Sequence, residues 1–346
     1  MRAPRDRPRT ARRTGALLTL VLLAGILAYA LPRLGPGRVA DALVSAGPGW
    51  LLLAFALMAL SLLLRAISWR QVLRAALPRT PIGRLAVLRA TMIGVMGSAV
   101  FPGRIGEPAR VVVLSRRLEG STARLAPVIA GTVFSQTLIN ILALAILGAV
   151  TFTSVPVFHD HLLAAIIALA IPLAALLLML AAPRLLRYAR RWPSLRVMAV
   201  ANTLAAVLRL VRDGLLVFTR PRHGIPAVAA QLLAWALQWL ACYAVLLALG
   251  LQGQAGPVAA AAILLAINLS AVLPVTPSNV GLFQAACLVV LAAFGVAPGP
   301  ALAYGLVLQA VEVLTALGLG VPALLREGMR WGDIRASAHA EEEPQA

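Results

Sequence analysis

The residues with the most chemical content stand where an apolar run breaks. Ser98-Ala-Val-Phe-Pro-Gly-Arg-Ile-Gly-Glu107 closes a hydrophobic stretch with Pro102, Gly103, Arg104, Gly106 and Glu107. A helix cannot pass through Pro102 and Gly103 without losing backbone hydrogen bonds. In a bilayer such freed groups are tolerated only inside protein or beside a watery cavity. Arg104 brings a planar fork of donors that matches a phosphate, and Glu107 can orient that fork or relay a proton. Gly103 and Gly106 allow a tight turn and close approach of backbone to a ligand. The same two charges could instead pair and lock the tip of the segment; the two roles are compatible. Glu312 is the only acid well inside an apolar run, with Gln309 and Thr315 on its face at three-residue spacing. An intramembrane acid is a functional group by default, here a candidate to line a cavity. The alternative is a neutral carboxyl hydrogen-bonded between helices.

The chain then echoes its first break. Ser270-Ala-Val-Leu-Pro-Val-Thr-Pro-Ser-Asn-Val-Gly281 opens with the same Ser-Ala-Val-x-Pro, again at the end of an apolar run. Asn268 and Asn279 flank this second break and are candidates to line the same cavity. Gln136, Asn140, Gln231 and Gln238 are polar within apolar runs and read as hydrogen-bonding glue between helices. His159-Asp-His161 could bind a metal, but two histidines at this spacing in an outer loop are usually just solvated. No Walker motif, nucleophile elbow or Cys/His metal pattern is present, so neither a metal nor a cofactor is expected.

Composition says what must position these residues. Of 346 residues 61% are hydrophobic and the mean hydropathy is +0.89, too apolar for a soluble fold. The net charge of +19 comes from 31 basic residues, all of them arginine, against 12 acids. Because the arginines fall in blocks between apolar runs, they point to membrane headgroups as partners and not to nucleic acid. Cys242 and Cys287 both lie in apolar runs, which gives no disulfide framework.

A basic tail (1–13) precedes a membrane domain (14–330) and an acidic flexible tail (331–346). Full spans are expected near 16–31, 50–68, 126–150, 162–182, 226–250 and 301–325. The first could alternatively be a signal peptide. The runs 90–102, 258–273 and 280–296 are too short to cross comfortably, and 194–218 reads as an amphipathic interfacial helix. Trp50 and Trp69 bracket the 50–68 span as interfacial anchors, and Arg65 and Arg70 are expected to snorkel to headgroups. Drawn this way, 29 of the 31 arginines fall on one side, which places both termini in the cytoplasm. The two breaks then sit in oppositely oriented units, an inverted repeat of the kind found in alternating-access carriers. The expected fold is an all-α polytopic membrane protein with about six full spans and two broken or re-entrant helical hairpins. It reaches eight spans if 258–296 is two thin ones.

Three pieces of the chain resemble a known family. They are Arg65-Ala-Ile-Ser-Trp69-Arg70-x-x-Leu73, Pro102-Gly-Arg-Ile-Gly-Glu107-x-x-Arg110 and Pro274-Val-Thr-Pro277-x-x-x-Gly281. The family is the transmembrane, flippase-like region of lysylphosphatidylglycerol synthases together with its stand-alone relatives. The resemblance implies a bacterial inner-membrane protein with re-entrant helices that handles phospholipids or lipid-linked envelope precursors. It also puts Arg110 beside Arg65, Trp69 and Arg70 as a headgroup-facing residue. The second break departs from the family pattern at Ser278, Asn279 and Gln284, where Gly-Gly and Glu are usual; a charged role at Gln284 is therefore in doubt. After Arg326 only twenty residues remain, so the soluble aminoacyl-transfer activity of full-length synthases is expected to be absent. The first expectation for function is a lipid translocase with no enzymatic activity. A membrane transferase is the alternative, as is a non-transporting accessory subunit working with envelope-biosynthesis enzymes.

Overall fold

The computed structural model describes residues 44–100, 106–118, 122–154, 217, 220–271 and 279–327. The expected first span, the 162–182 span, nearly all of the 194–218 helix, the His159–His161 pair and both tails lie outside the described residues. So do Gly103 and Arg104 of the first break and 272–278 of the second.

Among the described residues the fold is helical throughout. The helices are α1 (Pro48–Ala76), α2 (Arg84–Val100), α3 (Gly106–Arg117), α4 (Thr122–Ser154), α5 (Pro221–Ala248), α6 (Pro257–Ser270), α7 (Leu282–Ala293) and α8 (Pro298–Glu327). Proline opens α1, α5, α6 and α8. There its missing N–H has no intrahelical partner to lose, and its fixed φ already suits a helix. α1, α4, α5 and α8 contain 29, 33, 28 and 30 residues. At a rise of about 1.5 Å per residue each exceeds the roughly 30 Å hydrocarbon core. Their apolar outer faces, such as Leu52, Leu60, Leu63 and Ile67 of α1, are left uncovered by protein, as lipid contact requires. The chain is therefore a multi-pass membrane protein. α2, α3, α6 and α7 have only 17, 12, 14 and 12 residues. Three of these four fall well short of a crossing.

α1 and α5 lie antiparallel along their whole length. The Gly47 amide donates to Ala248 O at 2.7 Å at one end, and Arg220 Nη1 donates to Ala75 O at 3.1 Å at the other. Between these, Ser68 Oγ donates to Ala227 O at 2.8 Å. The facing residues are small, with Ala54, Ala66 and Ala75 buried on one helix and Ala227, Ala234 and Ala241 on the other. Small side chains let backbones approach where no hydrophobic effect draws helices together.

The other helices are arranged around this pair. α2 folds back along α3, and α6 packs along α7. α2 also meets α1 and α8; correspondingly, α6 meets α5 and α4. α3 packs on α4 and α7 on α8, while α1 and α5 each touch both α4 and α8. Exchanging the first four helices for the last four, in order, leaves this set of principal contacts unchanged.

Two apolar cores result. One surrounds α6 and α7 with Cys242, Val245, Leu291 and Tyr304, together with Ala54 and Met58 of α1. The other surrounds α2 and α3 with Trp69, Leu73, Ile93 and Leu114, together with Ala323 and Leu324 of α8. Each long helix passes from one core to the other.

Gly106 is where the α2–α3 hairpin closes most tightly. A Cβ on Gly106 would overlap the Gly94 carbonyl and Ser98, and one on Gly97 would sit 3.1 Å from Gly106 Cα. Backbone meets backbone here, so the neighbours cannot yield. Gly106→Ala is expected to destabilise the protein by about 1–3 kcal/mol, the usual cost of overpacking. Thermal unfolding in detergent should show a lower Tm than wild type; an unchanged Tm would mean that the two arms are not in contact as described.

Candidate functional site

The polar side chains gather where the two cores meet. Met58, Leu62 and Arg65 of α1, Val95 of α2, Gln238 of α5, Leu264 and Asn268 of α6, and Glu312 of α8 enclose a cavity of 160 Å³. Five helices contribute, from both halves of the chain. Arg65 Nη2 donates to Gln238 Oε1 at 2.8 Å, and its guanidinium lies 5.9 Å from the centre of the Trp235 ring. Arg65 Nε is buried without a hydrogen-bond partner. Asn268 donates to Leu264 O at 2.8 Å, a bond within its own helix that leaves the amide oxygen available to the cavity. Glu312 makes no ion pair within 4.0 Å among the described residues. The cavity thus holds one guanidinium and one carboxyl group, each with bonding capacity to spare.

A chain of hydrogen bonds runs from this cavity into the α3–α4 interface. Gln136 Nε2 donates to Arg65 O at 3.2 Å and to Gln231 Oε1 at 3.3 Å. Gln231 Nε2 and Trp235 Nε1 both donate to Asn140 Oδ1, at 2.6 and 3.0 Å. Arg110 Nη1 donates to Gln136 Oε1 at 2.8 Å, its guanidinium stacks 4.7 Å from the Trp69 ring, and it pairs with Glu107 one helical turn earlier. Trp69 Nε1 in turn donates to Thr132 at 3.0 Å. The glutamines and asparagine expected to act as interhelical glue do so.

The second hairpin is tied down in a similar way. Gln284 of α7 donates to Gln309 of α8 and accepts from the Gly281 amide at 2.7 Å. In each hairpin, then, the second arm is bonded through a glutamine to the long helix that follows. Asn279, with φ of 57°, donates to Ser270 Oγ at 3.0 Å, and its Oδ1 is buried without a partner.

The structure sorts the expected site residues accordingly. Asn268 and Glu312 line the central cavity. Glu107 does not: it lies half exposed on α3 beside Arg110, at a separate groove against α4. Gln284 is engaged in the helix contact just described, Asn279 stands at the second break, and Gly106 is a packing residue. Gly103 and Arg104 lie outside the described residues. Three of the four headgroup-facing assignments are corrected. Arg65 turns inward to Gln238 instead of snorkelling. Trp69 has no exposed surface and is a core residue, not an interfacial anchor. Arg110 is 8% exposed and held between α3 and α4. Each has a specific partner on another helix, and in a bilayer that outweighs reaching for the interface. Arg70 remains at the edge, with Nε donating to Ile82 O at 3.2 Å.

One residue escaped the sequence reading. Glu327 ends α8 with its side chain 2% exposed and pairs with Arg89 of α2 at 3.3 Å and Arg117 of α3 at 2.5 Å. It fastens the first hairpin to α8. The available signal was a lone acid closing the last apolar run among arginines.

A family model for the lysylphosphatidylglycerol synthase TM region matches residues 16–320. The chain belongs to this family. That ties it to membrane lipid, and nearly the whole of its length is the family's membrane region. No curated protein matches it.

The Arg110–Gln136 contact can be measured directly. A double-mutant cycle with Arg110→Met and Gln136→Leu, read by thermal unfolding in detergent, is expected to give a coupling of about 1–3 kcal/mol, as for a buried hydrogen bond to a charged group. Purely additive losses would show that the contact contributes nothing.

Proposed function

We propose that the protein is a flippase-like carrier that moves a phospholipid or a lipid-linked envelope precursor across the bacterial cytoplasmic membrane. The observation that carries this reading is the cavity at the junction of the two cores, with Arg65 and Glu312 in it. A guanidinium with unused donors suits a headgroup phosphate, and a carboxylate without a partner suits an amine or hydroxyl on the same headgroup. The acyl chains would stay in lipid along the apolar outer faces. At 160 Å³ the cavity is smaller than the roughly 300–1,000 Å³ typical of sites for whole small ligands, so it would hold the phosphate end of a headgroup in a closed state.

The exchange of helix contacts between the two halves supports an inverted repeat. In this reading α2–α3 enters the membrane from one face and α6–α7 from the other, each as a re-entrant hairpin. Partition of the arginines puts the termini and the α2–α3 hairpin on the cytoplasmic side. One core closes each end of the pathway, and rocking one half against the other would open them in turn. In this role the chain moves lipid without making or breaking its bonds, and envelope-biosynthesis enzymes would supply or consume the lipid.

Two experiments test this. Cys242 and Cys287 are both buried and should not react with impermeant maleimide. A cysteine introduced at Ser154 is expected to label from outside the cell, and one at Arg326 only after the membrane is opened; the reverse pattern would overturn the orientation. In reconstituted vesicles, loss of headgroup accessibility gives the translocation rate. Arg65→Ala and Glu312→Gln are each expected to slow it by about tenfold or more, the loss of one charge-assisted contact, at a Tm close to wild type. Wild-type rates in both variants would remove the cavity from the route.

A further inference from the structure

A second concave site lies at the end of α1, away from the central cavity. The last turns of α1, the 77–83 connection and the first turn of α5 enclose about 590 Å³, and Arg70, Arg74, Arg79, Thr80, Gly83 and His223 are among the lining residues. No acidic residue lines it. Three guanidiniums around one hollow repel each other, and the arrangement is relieved only by an anion or by solvent ions.

Several of these groups are held in place before any ligand arrives. Arg70 donates through Nε to Ile82 O at 3.2 Å, which leaves the fork of Nη1 and Nη2 without a protein partner among the described residues. His223 Nδ1 lies 3.2 Å from Gln71 Oε1, a contact that holds the ring at the hollow. The connection is stiffened by Pro78 and Pro81 and closed by the Thr80 amide donating to Leu77 O at 3.3 Å. Two helices also begin at the rim. α5 starts at Pro221 with no side chain capping its first turn, and α2 starts at Arg84, directly after Gly83. The His223 and Gly224 amides of the first turn of α5 donate to Arg220 O at 2.9 Å, so the anion chemistry of the hollow rests on its guanidiniums.

We propose that this hollow binds a phosphate-bearing anion, with Arg70, Arg74 and Arg79 as the donors. Phosphate fits better than carboxylate: three guanidiniums lining one hollow match a group with several oxygens and more than one negative charge. The phosphate could be borne by a lipid headgroup at the membrane surface or be free in solution. The site stands apart from the translocation reading, since none of its lining residues is shared with the central cavity.

The test uses the full-length protein in nanodiscs of phosphatidylcholine, doped with phosphatidic acid as the phosphomonoester probe. Native mass spectrometry counts the lipid retained, and inorganic pyrophosphate is added as a competitor. Wild type is expected to retain phosphatidic acid over phosphatidylcholine. Arg70→Gln and Arg79→Gln should each weaken retention by about tenfold, as loss of one charge-assisted contact implies. Arg326→Gln removes the same charge from the end of α8 and should leave retention unchanged. Arg79 is exposed and anchors nothing else among the described residues, so its variant folds even if Arg70→Gln does not. Competition by pyrophosphate would assign the site to phosphate itself, and lack of competition to phosphate carried on lipid; both support the proposal. Equal retention of the two lipids by wild type, or an equal loss in Arg326→Gln, would overturn it in favour of general surface charge. Translocation measured on Arg79→Gln separates this outcome from failure of the carrier reading.

Discussion

A guanidinium buried among helices is costly unless protein groups meet most of its charge, and much of this structure follows from how Arg110 is partnered. Its charge is met by Glu107 on the same helix, its face by the Trp69 ring, and its edge by Gln136. Each partner is bound to something further. Trp69 reaches Thr132, and Gln136 reaches both Gln231 and the Arg65 carbonyl. One helix of only 12 residues thereby sets the register of α1, α4 and α5. Hydrogen bonds between helices contribute modestly one at a time in membranes, often under 1 kcal/mol. Their joint effect here is on specificity, since sliding any one helix would strand several polar groups at once.

The division into two apolar cores gives the polar residues their place. Each core is built around one short hairpin and the adjoining halves of the long helices. Apolar contacts are non-directional and close-packed, so each core behaves as a stiff block. Between them the long helices present Arg65, Gln136, Gln238 and Glu312 in place of leucine and alanine. A joint made of hydrogen bonds between stiff blocks can move only where new partners replace the old, and the cavity is where Arg65 and Glu312 have bonding capacity to spare. That is the physical property a carrier needs, and it is why the cavity carries the functional reading.

The sequence by itself determined the four spans that α1, α4, α5 and α8 supply, the two breaks and the family. Apolar length needs no partner to be read, because the bilayer imposes it on each helix alone. The breaks were legible for the same reason, as proline and glycine act on the local backbone. The place of Glu312 in the cavity was legible because one carboxylate in a long apolar run has few other tolerable positions.

Only the tertiary structure decided which way the arginines and tryptophans face. α1 is apolar nearly all round, so its pattern does not mark the side that meets the bundle. An arginine stem can reach outward to headgroups or inward to an amide, and the choice rests on whether a partner stands within reach. For Arg65 that partner is Gln238, 173 residues away in the chain. For Arg110 it is Gln136 on the next long helix, and for Glu327 it is a pair of arginines on α2 and α3. The family motifs mark these positions without saying where their side chains point. Their direction is a property of neighbouring helices, set only once α1 and α5 have closed along their small faces and brought the two halves of the chain together.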